Sequence, residues 1–125
     1  MNLYTCSHCG NIAVKLTDSG VPMVCCGAPM SLMEAGTSDG AVEKHLPVVE
    51  RKDGSVTVTV GSQAHPMLDA HYIAWILLET SRGFQVCNLA PGQEPQAVFA
   101  LAQGETPVAA YAFCNLHGLW KTDIA

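Results

Sequence analysis

Four cysteines fall close together near the start of the chain, as Cys6-Ser7-His8-Cys9-Gly10 and Cys25-Cys26-Gly27, and they decide what that stretch can be. Between them lie a strand-like run from Ile12 to Leu16, a turn at Asp18-Ser19-Gly20 and a short run from Val21 to Val24, so the pattern predicts a hairpin closed by four thiols. A piece this small cannot bury enough apolar surface to fold unaided, and a metal on Cys6, Cys9, Cys25 and Cys26 supplies the missing stability. Gly10 and Gly27 follow the second cysteine of each pair and let backbone amides turn towards the sulfurs, which makes each half a metal knuckle. Two disulfides are the competing reading. A bridge between adjacent Cys25 and Cys26 is strained, however, and a C-x-x-C with a partner pair in a reduced compartment more often binds metal. Tetrahedral sulfur sites take zinc or iron. Zinc ribbons keep two or more residues between the members of each pair, so the adjacent cysteines favour a rubredoxin-like mononuclear iron. His8 is expected to be an exposed side chain, because four thiolates already close the shell.

Gly36-Thr37-Ser38-Asp39-Gly40 reads as a linker of small and polar residues, and the pattern changes after it. From Leu46 onward strands alternate with turns: Val48-Val49, the turn Asp53-Gly54, then Val56-Thr57-Val58-Thr59-Val60 in strict alternation. Further strands are predicted at Tyr72 to Leu78, Gly83 to Leu89, Ala97 to Leu101 and Val108 to Phe113, punctuated by Pro91-Gly92, Gly104 and Pro107, with no convincing helix. Strands at such intervals predict a β-sandwich. The 125 residues therefore divide into a metal-stapled module, 1–36, and a domain over 37–125.

With 49% hydrophobic and 14% charged residues, the chain can build a sizeable core and wholesale disorder is not expected. A formal charge of −5 with six Lys and Arg argues against a nucleic-acid partner, which would leave a basic stripe. No apolar run approaches the roughly 20 residues of a membrane span. Met1-Asn2-Leu3-Tyr4-Thr5 also lacks a basic region followed by an apolar one, so a cytoplasmic location with reduced thiols is expected. Cys87 has no cysteine or histidine near it and reads as a half-buried thiol on a strand.

Towards the end of the chain, Cys114-Asn115-Leu116-His117-Gly118 places a thiol and an imidazole three residues apart, a spacing at which both reach one transition metal. Further nitrogen donors stand upstream in Glu43-Lys44-His45-Leu46-Pro47, in His65-Pro66-Met67 and in His71-Tyr72-Ile73-Ala74-Trp75-Ile76. Any one of these histidines alone is most often a surface or hydrogen-bonded core residue. Together they fall at predicted strand ends and turns, where ligands converge from a rigid sheet. Three chemistries remain open. A copper site would use two histidines, Cys114 and Met67; a Cys-His nucleophile would use one pair and an orienting residue; four histidines with one cysteine would hold five-coordinate iron with one position open.

The order and spacing of these motifs resemble desulfoferrodoxin, the two-iron form of superoxide reductase, over essentially the whole chain. The motifs are Cys6-x-x-Cys9 with Cys25-Cys26, Gly36-Thr37-Ser38-Asp39-Gly40, Glu43-Lys44-His45-x-Pro47, Gly61-Ser62 through His65-Pro66-Met67, His71-x-Ile73-x-Trp75-Ile76 and Cys114-Asn115-Leu116-His117-Gly118-x-Trp120. The resemblance implies an all-β chain, with a small desulforedoxin-like knuckle domain holding iron on four thiolates and an immunoglobulin-like β-sandwich holding a catalytic iron. It implies His45, His65, His71 and His117 as equatorial ligands, Cys114 as the axial one, and Lys44 and Glu43 as the pair beside them. It implies one-electron reduction of superoxide to hydrogen peroxide, re-reduction by a small carrier such as rubredoxin, and a homodimer. Lys44 would assist protonation and Glu43 would offer a hard carboxylate to the ferric ion. The segment from Thr80 to Tyr111 follows the family pattern only loosely, and Tyr72 stands beside His71. These departures bear on the dimer surface and partner contacts rather than on ligand positions. The rival reading is a two-iron electron-transfer protein without substrate chemistry.

Overall fold

Near its start the chain pairs only in short pieces. In the computed structural model, which describes residues 1–38 and 40–125, β1 (Leu3–Thr5) lies between β2 (Ile12–Val14) and β5 (Ser31–Leu32), while β3 (Val24–Cys25) and β4 (Ala28–Pro29) form a separate hairpin. Cys26 and Gly27 make the two-residue turn of that hairpin, with φ of 53° and 76°. Two successive left-handed residues are what a tight primed turn requires; glycine takes one without strain, and a cysteine is held in the other. The run from Val21 to Val24, expected as a strand, pairs only at Val24. Pro22 has no N–H to give to a ladder, and the Val21 carbonyl accepts from Lys15 Nζ at 2.8 Å. The same ammonium meets Asp18 at 3.0 Å and so ties the expected turn at 18–20. Leu3 and Cys6 are the only buried hydrophobic residues here, so Met1–Glu34 forms a unit of its own with almost no core.

Ala35–Ala125 is the second unit. Asp39, within the stretch read as a linker, lies outside the described residues. A single helical turn, α1 (Val42–His45), precedes β6 (Pro47–Lys52); one turn is too short to leave a periodic signature, and Pro47 ends it. β6 pairs with β7 (Ser55–Val60), and β7 with β10 (Gln96–Ala100). The facing sheet runs β12 (Gly118–Asp123), β11 (Pro107–Cys114), β8 (Ile73–Thr80), β9 (Gly83–Asn88). All these pairings are antiparallel, and the result is the expected sandwich. The alternation in β7 sends Val56, Val58 and Val60 inward, where they meet Ile73, Ile76, Leu78, Ala110, Ala112 and Phe99. β12 is a strand that the pattern did not predict. It forms because β11 offers it a partner, from Ala109↔Asp123 to Cys114↔Gly118.

The registers gather the predicted ligands at one end of the sandwich. Pro47 pairs with Val60, Cys114 with both Ile73 and Gly118, so the chain just before β6, after β7, before β8 and after β11 shares one rim. His45, His65, His71 and His117 occupy those four places, and Cys114 is the last residue of β11 beside them. The β8–β11 ladder also slips between Phe113 and Cys114: Phe113 faces Trp75, while Cys114 faces Ile73. Cys114 keeps the inward phase of Ala110 and Ala112, and the extra residue on the β8 side turns Ile73 inward opposite it, so both are fully buried as the strands reach the rim.

Gly61 locks two of these segments together. A Cβ there would lie 2.6 Å from the Glu43 carbonyl oxygen and 2.8 Å from the Lys44 carbonyl carbon, both backbone atoms. The Glu43 oxygen accepts from Gln63 N at 2.9 Å and Ser62 Oγ at 3.2 Å, so loop and helix are joined by hydrogen bonds as well as by contact. Gly61→Ala is expected to cost about 1–3 kcal/mol in urea unfolding of the metal-free protein and to weaken metal binding by separating His45 from His65. An unchanged midpoint with unchanged metal binding would show that this packing is not what sets their distance.

Candidate metal centres

The imidazoles of His45, His65, His71 and His117 stand around a near-square. Successive ring centroids are 4.7, 4.7, 5.0 and 4.8 Å apart, and the His45–His71 diagonal is 6.4 Å. Neighbouring rings are close to perpendicular, at 73–86°, while the opposed pair is inclined by only 29°. Rings set like paddles around a common centre direct one nitrogen each towards it. Cys114 enters from the core side, and the five donor atoms lie within 4.8 Å of one another.

The tautomers follow from the hydrogen bonds. His45 Nδ1 is 2.7 Å from the Ala41 carbonyl and His65 Nδ1 is 2.7 Å from the Pro66 carbonyl; a carbonyl only accepts, so both nitrogens carry their ring's proton. With the rings neutral, the two Nε2 atoms, 3.2 Å apart, are both acceptors and cannot satisfy each other. His117 Nδ1 adds a third nitrogen 3.1 Å from His45 Nε2, and His71 Nε2 is buried with no partner among the described residues. Such clustered lone pairs beside a thiol fit a transition-metal cation. Burial pulls His65 down to about 4, against the Pro66 carbonyl, which acts to raise it. Burial also lowers His71, followed by the charges of His117, His45 and Lys44. Both rings are therefore neutral and free to ligate.

Other residues hold this set in place. Trp120 stacks on His45 at 4.9 Å and donates from Nε1 to the His117 carbonyl at 3.1 Å. Asn115 Oδ1 accepts from Tyr72 N at 2.9 Å, and its Nδ2 donates to the Ala70 carbonyl at 3.0 Å. The Met67 sulfur accepts from Ile73 N at 3.3 Å and its side chain packs against the core, whereas all four histidines gather with Cys114, more than the copper set would use. Lys44 is exposed, with its charge felt at His71. Glu43, also exposed, borders a groove shared with Leu46, Val48 and Ile124. The sequence carried no sign of the Ala41 and Pro66 carbonyls, because a backbone acceptor has no residue type.

In the first unit the sulfurs of Cys6, Cys9, Cys25 and Cys26 also lie within 4.8 Å of one another, and none is bridged. Cys9 and Cys25 are 3.6 Å apart, well beyond the ~2.05 Å of a disulfide, so the disulfide reading fails here. The Cys9 and His8 amides hold Cys6 down to about 6. The Cys9 and Cys6 thiols push Cys26 up to about 12, and Cys25 is raised by the same neighbours. One thiolate is stabilised while Cys25 and Cys26 hold their protons more tightly, as expected of crowded sulfurs until a cation offsets their charge. Asn11 Nδ2 donates to Cys25 Sγ at 3.6 Å, a contact the sequence reading missed although Asn11 stands two residues after Cys9. His8 is exposed and Cys87 is half-buried on β9; neither joins a cluster.

The family described as Desulfoferrodoxin matches residues 37–123, and the family described as Desulfoferrodoxin, N-terminal domain matches residues 1–33. A desulfoferrodoxin from Nitratidesulfovibrio vulgaris is 48% identical over 121 residues, covering 97% of this chain and 94% of its own. A superoxide reductase from Thermococcus kodakarensis is 34% identical over 105 residues, covering 70% of this chain and 91% of its own. The crystal structure of the superoxide reductase from Treponema pallidum superposes with a TM-score of 0.82 at 37% identity, covering 98% of this chain and 100% of that one. With motifs, fold and both donor clusters in agreement, the chain belongs to the desulfoferrodoxin family.

Proposed function

We infer that the protein is a superoxide reductase, adding one electron and two protons to superoxide to give hydrogen peroxide. The observation that carries this reading is the ring of four imidazoles completed by one thiol at the rim of the sandwich. His45, His65, His71, His117 and Cys114 are assigned as ligands of the catalytic iron, and Cys6, Cys9, Cys25 and Cys26 as ligands of a second iron. The domains are assigned as 1–36 and 37–125. A ferrous ion in the five-donor site supplies the electron and a thiolate-tuned potential, and a small carrier such as rubredoxin restores it.

The chain's own residues do the rest. Cys114 is the one donor of the five that would bind a metal as an anion, while the Ala41 and Pro66 carbonyls hold two rings in their ligating tautomers. Superoxide is an anion approaching a chain of net charge −5, so a local cation is needed, and Lys44 provides it at a point where its charge reaches His71. Lys44 also orders the water that delivers the two protons. Glu43 is assigned as its partner, with its main chain fixed by Gln63 and Ser62. A homodimer and a cytoplasmic location belong to the same reading. No helix among the described residues is long and apolar enough to cross a membrane.

Pulse radiolysis across a salt series tests the assignment. Lys44→Ala is expected to slow the bimolecular reaction roughly tenfold and to flatten its salt dependence, with the iron spectra intact; an unchanged rate and slope would return Lys44 to an ordinary surface role. Separately, Cys9→Ser is expected to empty or loosen the four-thiolate site while reduction of superoxide largely persists. Loss of the fast reaction in a folded variant that keeps iron in the five-donor site would contradict the assignment of catalysis to residues 37–125.

A further inference from the structure

Two of the ring histidines are aimed by a hydrogen bond from their distal nitrogen, His45 to Ala41 and His65 to Pro66. His71 has no such bond among the described residues, and its Nε2 is buried without a partner. Its ring meets those of its neighbours, His65 at 4.7 Å and His117 at 5.0 Å between centroids, and the hydrogen bonds that hold this ligand among the described residues are those of its main chain. Two main-chain bonds with Leu68, at 2.9 and 3.1 Å, hold His71 itself. The residues on either side are held by Asn115, whose Oδ1 accepts from Tyr72 N at 2.9 Å and whose Nδ2 donates to the Ala70 carbonyl at 3.0 Å. Asn115 N donates to the Tyr72 carbonyl at 3.2 Å as well, continuing the β8–β11 ladder one step past the bulge at Cys114.

We propose that Asn115 is the positioning residue for His71, fixing that ligand against Cys114 and His117 by clamping the main chain on both of its sides. The inference rests on the reading of this cluster as the catalytic iron site. An amide is the side chain suited to the task, because it accepts and donates at once; the neighbouring backbone offers an N–H at Tyr72 and a carbonyl at Ala70. Asn115 is itself exposed, so its removal opens no core cavity, and its effect is expected at the ring rather than in overall stability.

The test uses the full-length protein with iron in both sites and compares Asn115→Ala, Asn115→Asp and a control, Leu116→Ala, in the same turn but 60% exposed. Iron release to a chelator from the five-donor site, followed by its sulfur-to-iron absorption, is expected to accelerate about 10- to 100-fold in Asn115→Ala, with that absorption shifted. The four-thiolate spectrum and Leu116→Ala are expected to match wild type. Asn115→Asp keeps the acceptor for Tyr72 but sets a carboxylate oxygen against the Ala70 carbonyl, so faster release with a shifted band is expected there too. Release within twofold of wild type and an unshifted band in both variants would overturn the proposal; if Asn115→Ala does not fold, the same result in Asn115→Asp alone would overturn it. Wild-type protein lacking the absorption altogether would instead sink the iron assignment beneath it.

Discussion

Two imidazole nitrogens that have each left their ring's proton on the far side face one another at 3.2 Å, and much of the second unit serves to keep them there. The Val42–His45 turn cannot move away, because its main chain is bonded to residues 62 and 63 and packed on Gly61. His65 cannot swing out while the Pro66 carbonyl holds Nδ1. Trp120 closes the outer side of His45. The arrangement opposes lone pairs in the bare protein and is complementary to a cation, so the sandwich holds in advance the electrostatic cost that the metal removes.

The first unit works in the other direction. It has no comparable core, and its four sulfurs are spread over a hairpin loop and a two-residue turn. Metal binding and folding are then coupled, because two buried hydrophobic residues and a few weak bonds to sulfur do little to hold Cys6 near Cys26. One chain thus combines a site built by its scaffold with a scaffold built by its site. The second needs few residues, whereas the first needs strands long enough to bring four chain segments to one rim.

Much of this was legible in the sequence for reasons that differ by element. β7 alternates because one face is buried, and both knuckles of the four-cysteine site betray themselves by glycine following the sulfur. The ligands were legible because cysteine and histidine are uncommon and fell at strand ends. β12 was not: Gly118-Leu119-Trp120-Lys121-Thr122-Asp123 has too little alternation, and only the neighbouring β11 makes it a strand. α1 was too short to show a period. The orientation of the rings depends on carbonyls at Ala41 and Pro66, which no residue type announces. Val21 to Val24 looked like a strand, but a lysine bond to Val21 and the missing donor of Pro22 took it out of the ladder.

All five donors of the larger cluster crowd one rim, and the registers leave the far rim without any. There, Lys52 faces Ser55 across Asp53-Gly54, Thr80 faces Gly83 across Ser81-Arg82, and β10 returns to β11 through the exposed residues Gln103 and Gly104. These turns are separated from the metal by the full length of the strands, and lengthening them disturbs no ligand. Growth of the chain by insertion, or attachment of a tether to an electrode or a fused redox partner, has its permissive ground at that end. The same polarity would let relatives diverge in loop length there while the rim that binds iron stays constant.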